Sequence, residues 1–202
     1  MMYRGLILLM TIGILLAAGF SRRFGTSDKL MHCLSDGRPI GLAAAQNLVQ
    51  AVPAAIAIVR PENQELGELL KAAGMHVMAC GAHEKEMADS LAAAVRFSAR
   101  FAESVDGFVI ALADMPFIRP QTIADVAGKL MSGASVVVPA YRGRRGHPVA
   151  FAAKFRNNLE NLRGDEGARS ILKRYQDEIY TLACDDTGIL ADIDTLSDIG
   201  VA

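Results

Sequence analysis

Short, nearly unbroken apolar runs alternate along this chain with stretches whose apolar residues recur at helical spacing. Thr11 to Ala18, Ala54 to Val59, Met75 to Ala79, Gly107 to Leu112, Ala134 to Pro139 and Ile179 to Leu182 are the short runs, and such runs suit strands buried on both faces. Between them, Pro39 to Val52, Glu62 to Ala73, Met87 to Glu103 and, following Pro120, Thr122 to Met131 read as helices, the second stopped by Gly74. The alternation predicts an α/β fold of three layers, a mostly parallel sheet with helices on both faces. Chemistry in such a fold gathers at the carboxyl ends of the strands. Tyr141 to Phe151 breaks the rhythm with Arg142-Gly143-Arg144-Arg145-Gly146-His147-Pro148, which predicts a small hairpin excursion leaving the sheet. Short helices follow at Lys154 to Leu162 and Asp165 to Tyr175, and Met75, Met78 and Met87 read as core filler.

The first run begins inside a longer apolar stretch, Leu6 to Ala18. It is shorter than the roughly 20 residues a spanning helix needs, so no membrane span is expected; a secretory signal is the alternative reading. Thr11 to Ala18 reads as a buried parallel strand, with Met10 a candidate start of the chain. No repeat or linker divides the sequence, and residues 1–202 read as one domain.

Composition narrows the function classes. Of 202 residues, 51% are hydrophobic and 21% charged, with a net charge of -1. That balance supports a packed core and gives no general grip on nucleic acid or an anionic membrane. Cys33, Cys80 and Cys184 are odd in number and form no CxxC pair, which points to reduced thiols and a cytoplasmic protein.

Candidate chemistry sits at the ends of the predicted strands. Leu16-Ala17-Ala18-Gly19-Phe20-Ser21-Arg22-Arg23-Phe24-Gly25, with Lys29 beyond it, offers turn-forming glycines, backbone N–H groups and positive charge for a phosphate chain. It matches neither the P-loop nor the GxGxxG pattern; a solvated basic turn is the bland alternative. Asp114 closes an apolar strand, where a carboxylate is placed for a metal ion or serves as a turn residue. Asp192 and Asp194 are two apart and share a face of an extended segment. Either one with Asp114 suits Mg²⁺, which takes few protein carboxylates; a helix cap is the alternative. Gly146-His147-Pro148 forms a tight turn with His147 facing a surface or pocket, and Asp165 with Arg169 reads as an i,i+4 helix pair.

Taken together, Leu16-Ala17-Ala18-Gly19-x-Ser21-x-Arg23-x-Gly25 with Lys29, Leu112-Ala113-Asp114-Met115-Pro116, Gly146-His147-Pro148, Gly164-Asp165-x-Gly167-Ala168-Arg169 and Asp192-Ile193-Asp194-Thr195 resemble the MobA/MocA-like nucleotidyltransferases. The likeness covers Thr11 to Ile199. It implies a Rossmann-like domain whose opening loop (Leu16 to Gly19, Ser21, Arg23, Gly25) wraps an NTP, with Lys29 and Arg23 neutralising phosphate charge. It further implies that Asp114 and Asp194 hold Mg²⁺, that Ser90 lies near the nucleotide, and that Gly146, His147, Asp165 and Arg169 face the acceptor. Met87-Ala88-Asp89 before Ser90 departs from the family's glycine-rich approach. The Ala17-Ala18-Gly19 opening looks more like the cytidylyl-transferring branch, implying CTP, a molybdopterin-type acceptor and a molybdoenzyme recipient. Three alternatives stand beside it. They are a GTP- or ATP-using transferase acting on another phosphorylated metabolite, a non-catalytic molybdenum cofactor delivery factor, and, lowest, a Rossmann-type oxidoreductase.

Overall fold

The structure is a computed structural model, and it describes residues 10–19, 28–81, 86–101, 105–164, 167–195 and 197–198. The apolar runs become strands because each can bury side chains on both faces of a sheet. Among the described residues these are β1 (Thr11–Ala17), β2 (Ala55–Val59), β3 (His76–Ala79), β4 (Gly107–Leu112), β5 (Val136–Tyr141), β6 (Arg144–Arg145), β7 (Val149–Ala152) and β8 (Ile179–Ala183). They form one sheet in the order β3-β2-β1-β4-β7-β5-β6, with β8 pairing β5. β3, β2, β1 and β4 run parallel, as do β5 and β8.

The helices are α1 (Ile40–Ala51), α2 (Gln64–Ala72), α3 (Met87–Ser98), α4 (Pro120–Met131), α5 (Arg156–Glu160) and α6 (Arg169–Arg174). The period-two alternation of the strands sends them to opposite faces. Leu15, Ala17, Ala57 and Val109 pack with Leu48 of α1, Leu66 of α2 and Val126 of α4. Ile12, Ile14, Ile58 and Phe108 pack with Leu91 of α3, Leu159 of α5 and Ile171 of α6. Three layers result, as the alternation of runs predicts.

Four expectations change. The hairpin forms at Tyr141–Arg144, turning through Arg142 at φ 49° and Gly143 at φ 79°, the positive angles of a two-residue hairpin. Its return arm does not leave the sheet: β7 enters it antiparallel, between β4 and β5. Helix α3 ends at Ser98 rather than Glu103, where the buried Ser98 hydroxyl donates back to the Val95 carbonyl at 2.6 Å; such back-bonding competes with further helix. Helix α6 begins only at Arg169, after the Gly167–Ala168 turn; Asp165, the other member of the expected i,i+4 pair, lies outside the described residues. Met87 is 48% exposed rather than core, because it is the first residue of α3, before the helix meets the sheet. Among the described residues, no helix is long and apolar enough to cross a membrane.

Candidate functional site

The carboxyl ends of β1 and β4 lie side by side, since Leu16 pairs with Leu112. One residue further, the Ala113 N–H donates to the Leu16 carbonyl at 3.1 Å. Asp114 therefore leaves the sheet next to Ala17 and Ala18, with Ala17 buried, Ala18 half-buried and Gly19 exposed. Ser21, Arg23 and Gly25 lie outside the described residues.

Lys29 opens a 3-10 turn, Lys29–Met31, that the Asp28 carboxylate caps by accepting the Leu30 N–H at 3.1 Å. Asp28 is held in turn by Asn63, whose Nδ2 donates to its Oδ2 at 2.7 Å. From this anchored turn Lys29 Nζ donates to Asp114 Oδ2 at 2.8 Å and stands 3.6 Å from Asp194 Oδ1. The Lys29 side chain is 12% exposed, Asp114 27% and Asp194 46%. One ammonium thus bridges two carboxylates that are 80 residues apart in sequence and open to solvent on one side.

The C-terminal segment supplies Asp194. Its path is fixed at Asp186, which is 2% exposed. The Asp186 carboxylate accepts the Arg119 N–H at 2.9 Å, the Thr122 hydroxyl at 2.6 Å and the Gly188 N–H at 2.9 Å. Arg119 and Thr122 lie at the start of α4, where orphan N–H donors and the helix dipole favour an anion, and Gly188 lies in the turn that Asp186 itself caps. Beyond it the Ile189 carbonyl accepts the His147 N–H at 3.0 Å, and the Ile193 N–H donates to the Asp114 carbonyl at 2.9 Å. Ile193 is buried at 1%, so its neighbours Asp192 and Asp194 both turn outward, sharing a face as their spacing predicts. The structure separates them: Asp194 reaches Lys29, whereas Asp192 is exposed.

His147 occupies the break between β6 and β7, at the level where β4 gives way to Asp114. A side chain at Gly146 cannot fit there, because its Cβ would stand 2.1 Å from the Ile189 carbonyl oxygen; at Gly188 it would stand 2.1 Å from that of Phe117. The His147 ring is half-buried, with Nδ1 enclosed and unpartnered. Burial pushes its pKa below the ordinary value, the Asp114 carboxylate opposes this, the Arg169 guanidinium adds to it and Asp192 opposes it. At neutral pH the imidazole is uncharged.

The remaining expected residues flank this centre. Arg169 is exposed at the start of α6, and Asp165 lies outside the described residues. The Gly164 carbonyl accepts the Ala88 N–H at 3.2 Å, tying that loop to the start of α3. Ser90 is on α3, 5% exposed and enclosed among Leu91, Ala92 and their neighbours. Sequence reading missed three residues that hold the centre in place: Asn63, Asp186, and Asn47 of α1. The last donates from Nδ2 to the Pro116 and Ile118 carbonyls at 2.8 and 3.0 Å and so fixes the loop after Asp114. Asp28 and Asp186 both carry the usual signal of a capping residue before a turn, whereas nothing local marks the long-range contacts of Asn47 and Asn63.

Chemically, Asp114 and Asp194 offer hard oxygen ligands on the open side of the centre. Among the described residues no three His, Cys, Asp or Glu side chains gather as a metal cage. Two carboxylates fit Mg²⁺ or Mn²⁺ in the style that leaves the remaining positions to water and phosphate oxygens.

Comparison with known proteins finds relatives over nearly the whole chain. "Purine catabolism protein PucB" of Bacillus subtilis (strain 168) is 34% identical over 199 residues, covering 91% of each chain. The crystal structure of Rv0371c from Mycobacterium tuberculosis H37Rv superposes with a TM-score of 0.77 at 26% identity, covering 94% of this chain and 95% of that one. A complex of Rv0371C with manganese gives 0.73 at 24% identity, with 94% and 95% covered. Residues 13–179 match the family described as the MobA-like NTP transferase domain. With that match spanning most of its length, the chain belongs to the MobA-like NTP transferase family of nucleotidyltransferases.

Proposed function

We propose that the chain transfers CMP from CTP to the terminal phosphate of a molybdopterin-type cofactor and releases pyrophosphate. The observation that carries nucleotidyl transfer is Lys29 Nζ seated between Asp114 and Asp194 at the carboxyl ends of the sheet. The choice of CTP and molybdopterin rests on the sequence resemblance of the Ala17-Ala18-Gly19, Gly146-His147-Pro148 and Gly164 to Arg169 segments to the cytidylyl-transferring branch.

In this reading an oxygen of the acceptor phosphate bonds to the α-phosphorus of CTP. The bond from that phosphorus to the bridging oxygen breaks, and pyrophosphate leaves with the electron pair. Lys29 and Arg23 neutralise triphosphate charge, and the opening loop supplies backbone N–H donors. Asp114 and Asp194 would hold a divalent cation, which when bound stabilises charge developing on the transferred group. The manganese complex of Rv0371C supports a divalent ion for this fold. His147 faces the acceptor as a neutral imidazole and adds no positive charge, while Arg169 stands ready for an acceptor anion. The protein positions and neutralises; it forms no covalent intermediate.

The test is Mg²⁺-dependent pyrophosphate release from CTP, GTP and ATP, each with and without a molybdopterin-type acceptor. Release with CTP and acceptor together supports the reading. Release with GTP or ATP and a different phosphorylated acceptor replaces its substrates. Silence with every NTP despite cofactor binding favours delivery over catalysis.

A further inference from the structure

We infer that Lys29 is a competitor for the metal position as well as a phosphate ligand, so that a divalent cation and a triphosphate enter this centre cooperatively. The inference rests on reading Asp114 and Asp194 as metal ligands; it does not depend on which base or acceptor is used.

Three observations carry it. The ammonium stands within 2.8 Å of one carboxylate and 3.6 Å of the other, the pair a cation at this site would also need. Its side chain is only 12% exposed, so the charge is largely withdrawn from solvent beside the two carboxylates. The backbone beneath it is anchored independently, by the Asp28 cap and the Asn63 amide. Departure of Nζ therefore needs only rotation of the flexible four-carbon stem, with no movement of the turn.

An ammonium and a dication cannot both sit between the same two carboxylates, since they repel each other and share ligands. Without a polyphosphate, Lys29 satisfies Asp114 and Asp194, and a dication must displace it. A triphosphate offers Nζ a richer anion, draws it away and leaves both carboxylates to the metal. By linkage the effect is reciprocal: whatever the triphosphate contributes to metal affinity, the metal returns to triphosphate affinity. The device keeps the carboxylate pair neutralised in the resting protein and loads the cation with its substrate.

Mn²⁺ binding to the full chain, followed by the electron paramagnetic resonance of free Mn²⁺ with no nucleotide present, tests this directly. Lys29→Met keeps the stem and removes the charge, and it is expected to bind Mn²⁺ at least about tenfold tighter than the wild type. Lys29→Gln provides a second neutral variant should the first fold poorly. Lys71→Met makes the same change of net charge on exposed α2, where Lys71 pairs with Glu68, and is expected to leave Mn²⁺ affinity unchanged. Adding Asp114→Asn to Lys29→Met should erase the gain. Equal or weaker Mn²⁺ binding by both neutral Lys29 variants overturns the inference, as does an equal gain in Lys71→Met. No Mn²⁺ binding by any form, with or without CTP, overturns the metal reading itself. Neither substrate turnover nor molybdopterin enters the measurement, so a different base or acceptor leaves its result standing.

Discussion

The backbone N–H of Ile193 donates to the carbonyl of Asp114 at 2.9 Å, locking the C-terminal segment onto the end of β4. That bond brings Asp194 to the Lys29 ammonium that also holds Asp114. The candidate centre is therefore assembled from three distant stretches, and each can be disturbed separately.

Lys29→Ala and Asp114→Ala are expected to lower nucleotidyl transfer by about 10²-fold or more, the usual loss for a group that stabilises charge in the transition state. Both residues lie outside the two apolar clusters of the core, so thermal unfolding should remain cooperative. Steady-state pyrophosphate release beside circular dichroism melting checks both, and unchanged turnover in either variant removes that residue from the mechanism.

Asn63→Ala should reduce kcat while leaving the global fold within about 1 kcal/mol of wild type, because it loses one side-chain hydrogen bond at a half-buried site. Asn63→Asp should be worse, since it sets a carboxylate against Asp28. Comparing kcat and KM with denaturant unfolding separates a positioning role from a structural one; a stability loss that accounts for all the lost activity would argue for the latter.

Asp186→Ala is expected to destabilise the protein by about 2–4 kcal/mol, from three hydrogen bonds to a buried charge and the N–H donors left unpaired. It should also loosen the segment that carries Asp194, so residual activity should need more divalent cation. Urea unfolding and a metal titration of activity measure the two effects.

Gly146→Ala places a methyl group on the Ile189 carbonyl, which forces the turn and the C-terminal segment apart. A loss of about 1–3 kcal/mol is expected, with acceptor use impaired through His147. A melting temperature equal to wild type would show that the segment gives way freely.

His147 predicts a dependence on pH. Burial holds its folded pKa below the ordinary value of 6.5, so between the folded and unfolded values the unfolded chain binds more protons. Its contribution to stability is complete above about pH 6.5 and is lost as pH falls through the folded pKa. His147→Gln should flatten the fall in stability between pH 7.5 and 5, measured by urea unfolding at each pH. The same variant should raise KM for the acceptor more than for the NTP; equal increases would place His147 elsewhere.

Patterning alone made most of the strands and helices legible. Runs such as Val109-Ile110-Ala111-Leu112 can bury both faces only inside a covered sheet, and a charged residue at the end of such a run, Asp114, has few places to go but a site. Lys29 stood out as positive charge placed for a phosphate chain, and the Asp192–Asp194 pair as two carboxylates sharing a face of an extended segment. What patterning could not supply was long-range pairing. The insertion of β7 between β4 and β5 depends on hydrogen bonds to partners about 40 residues away or more on one side; the apolar content of Val149 to Ala152 suits any central position.

The same division separates the site residues. Sequence determined that Asp192 and Asp194 share a face of an extended segment; tertiary structure decided that Asp194 meets Lys29. The contacts by which Asn47, Asn63 and Asp186 hold the centre carry no local mark because they reach other segments, 35 to 71 residues distant; only the capping of Gly188 by Asp186 is local. Side-chain periodicity is written in the order of neighbours along the chain, so a sequence shows which face a residue takes; which residue waits on that face is settled only when the segments pack.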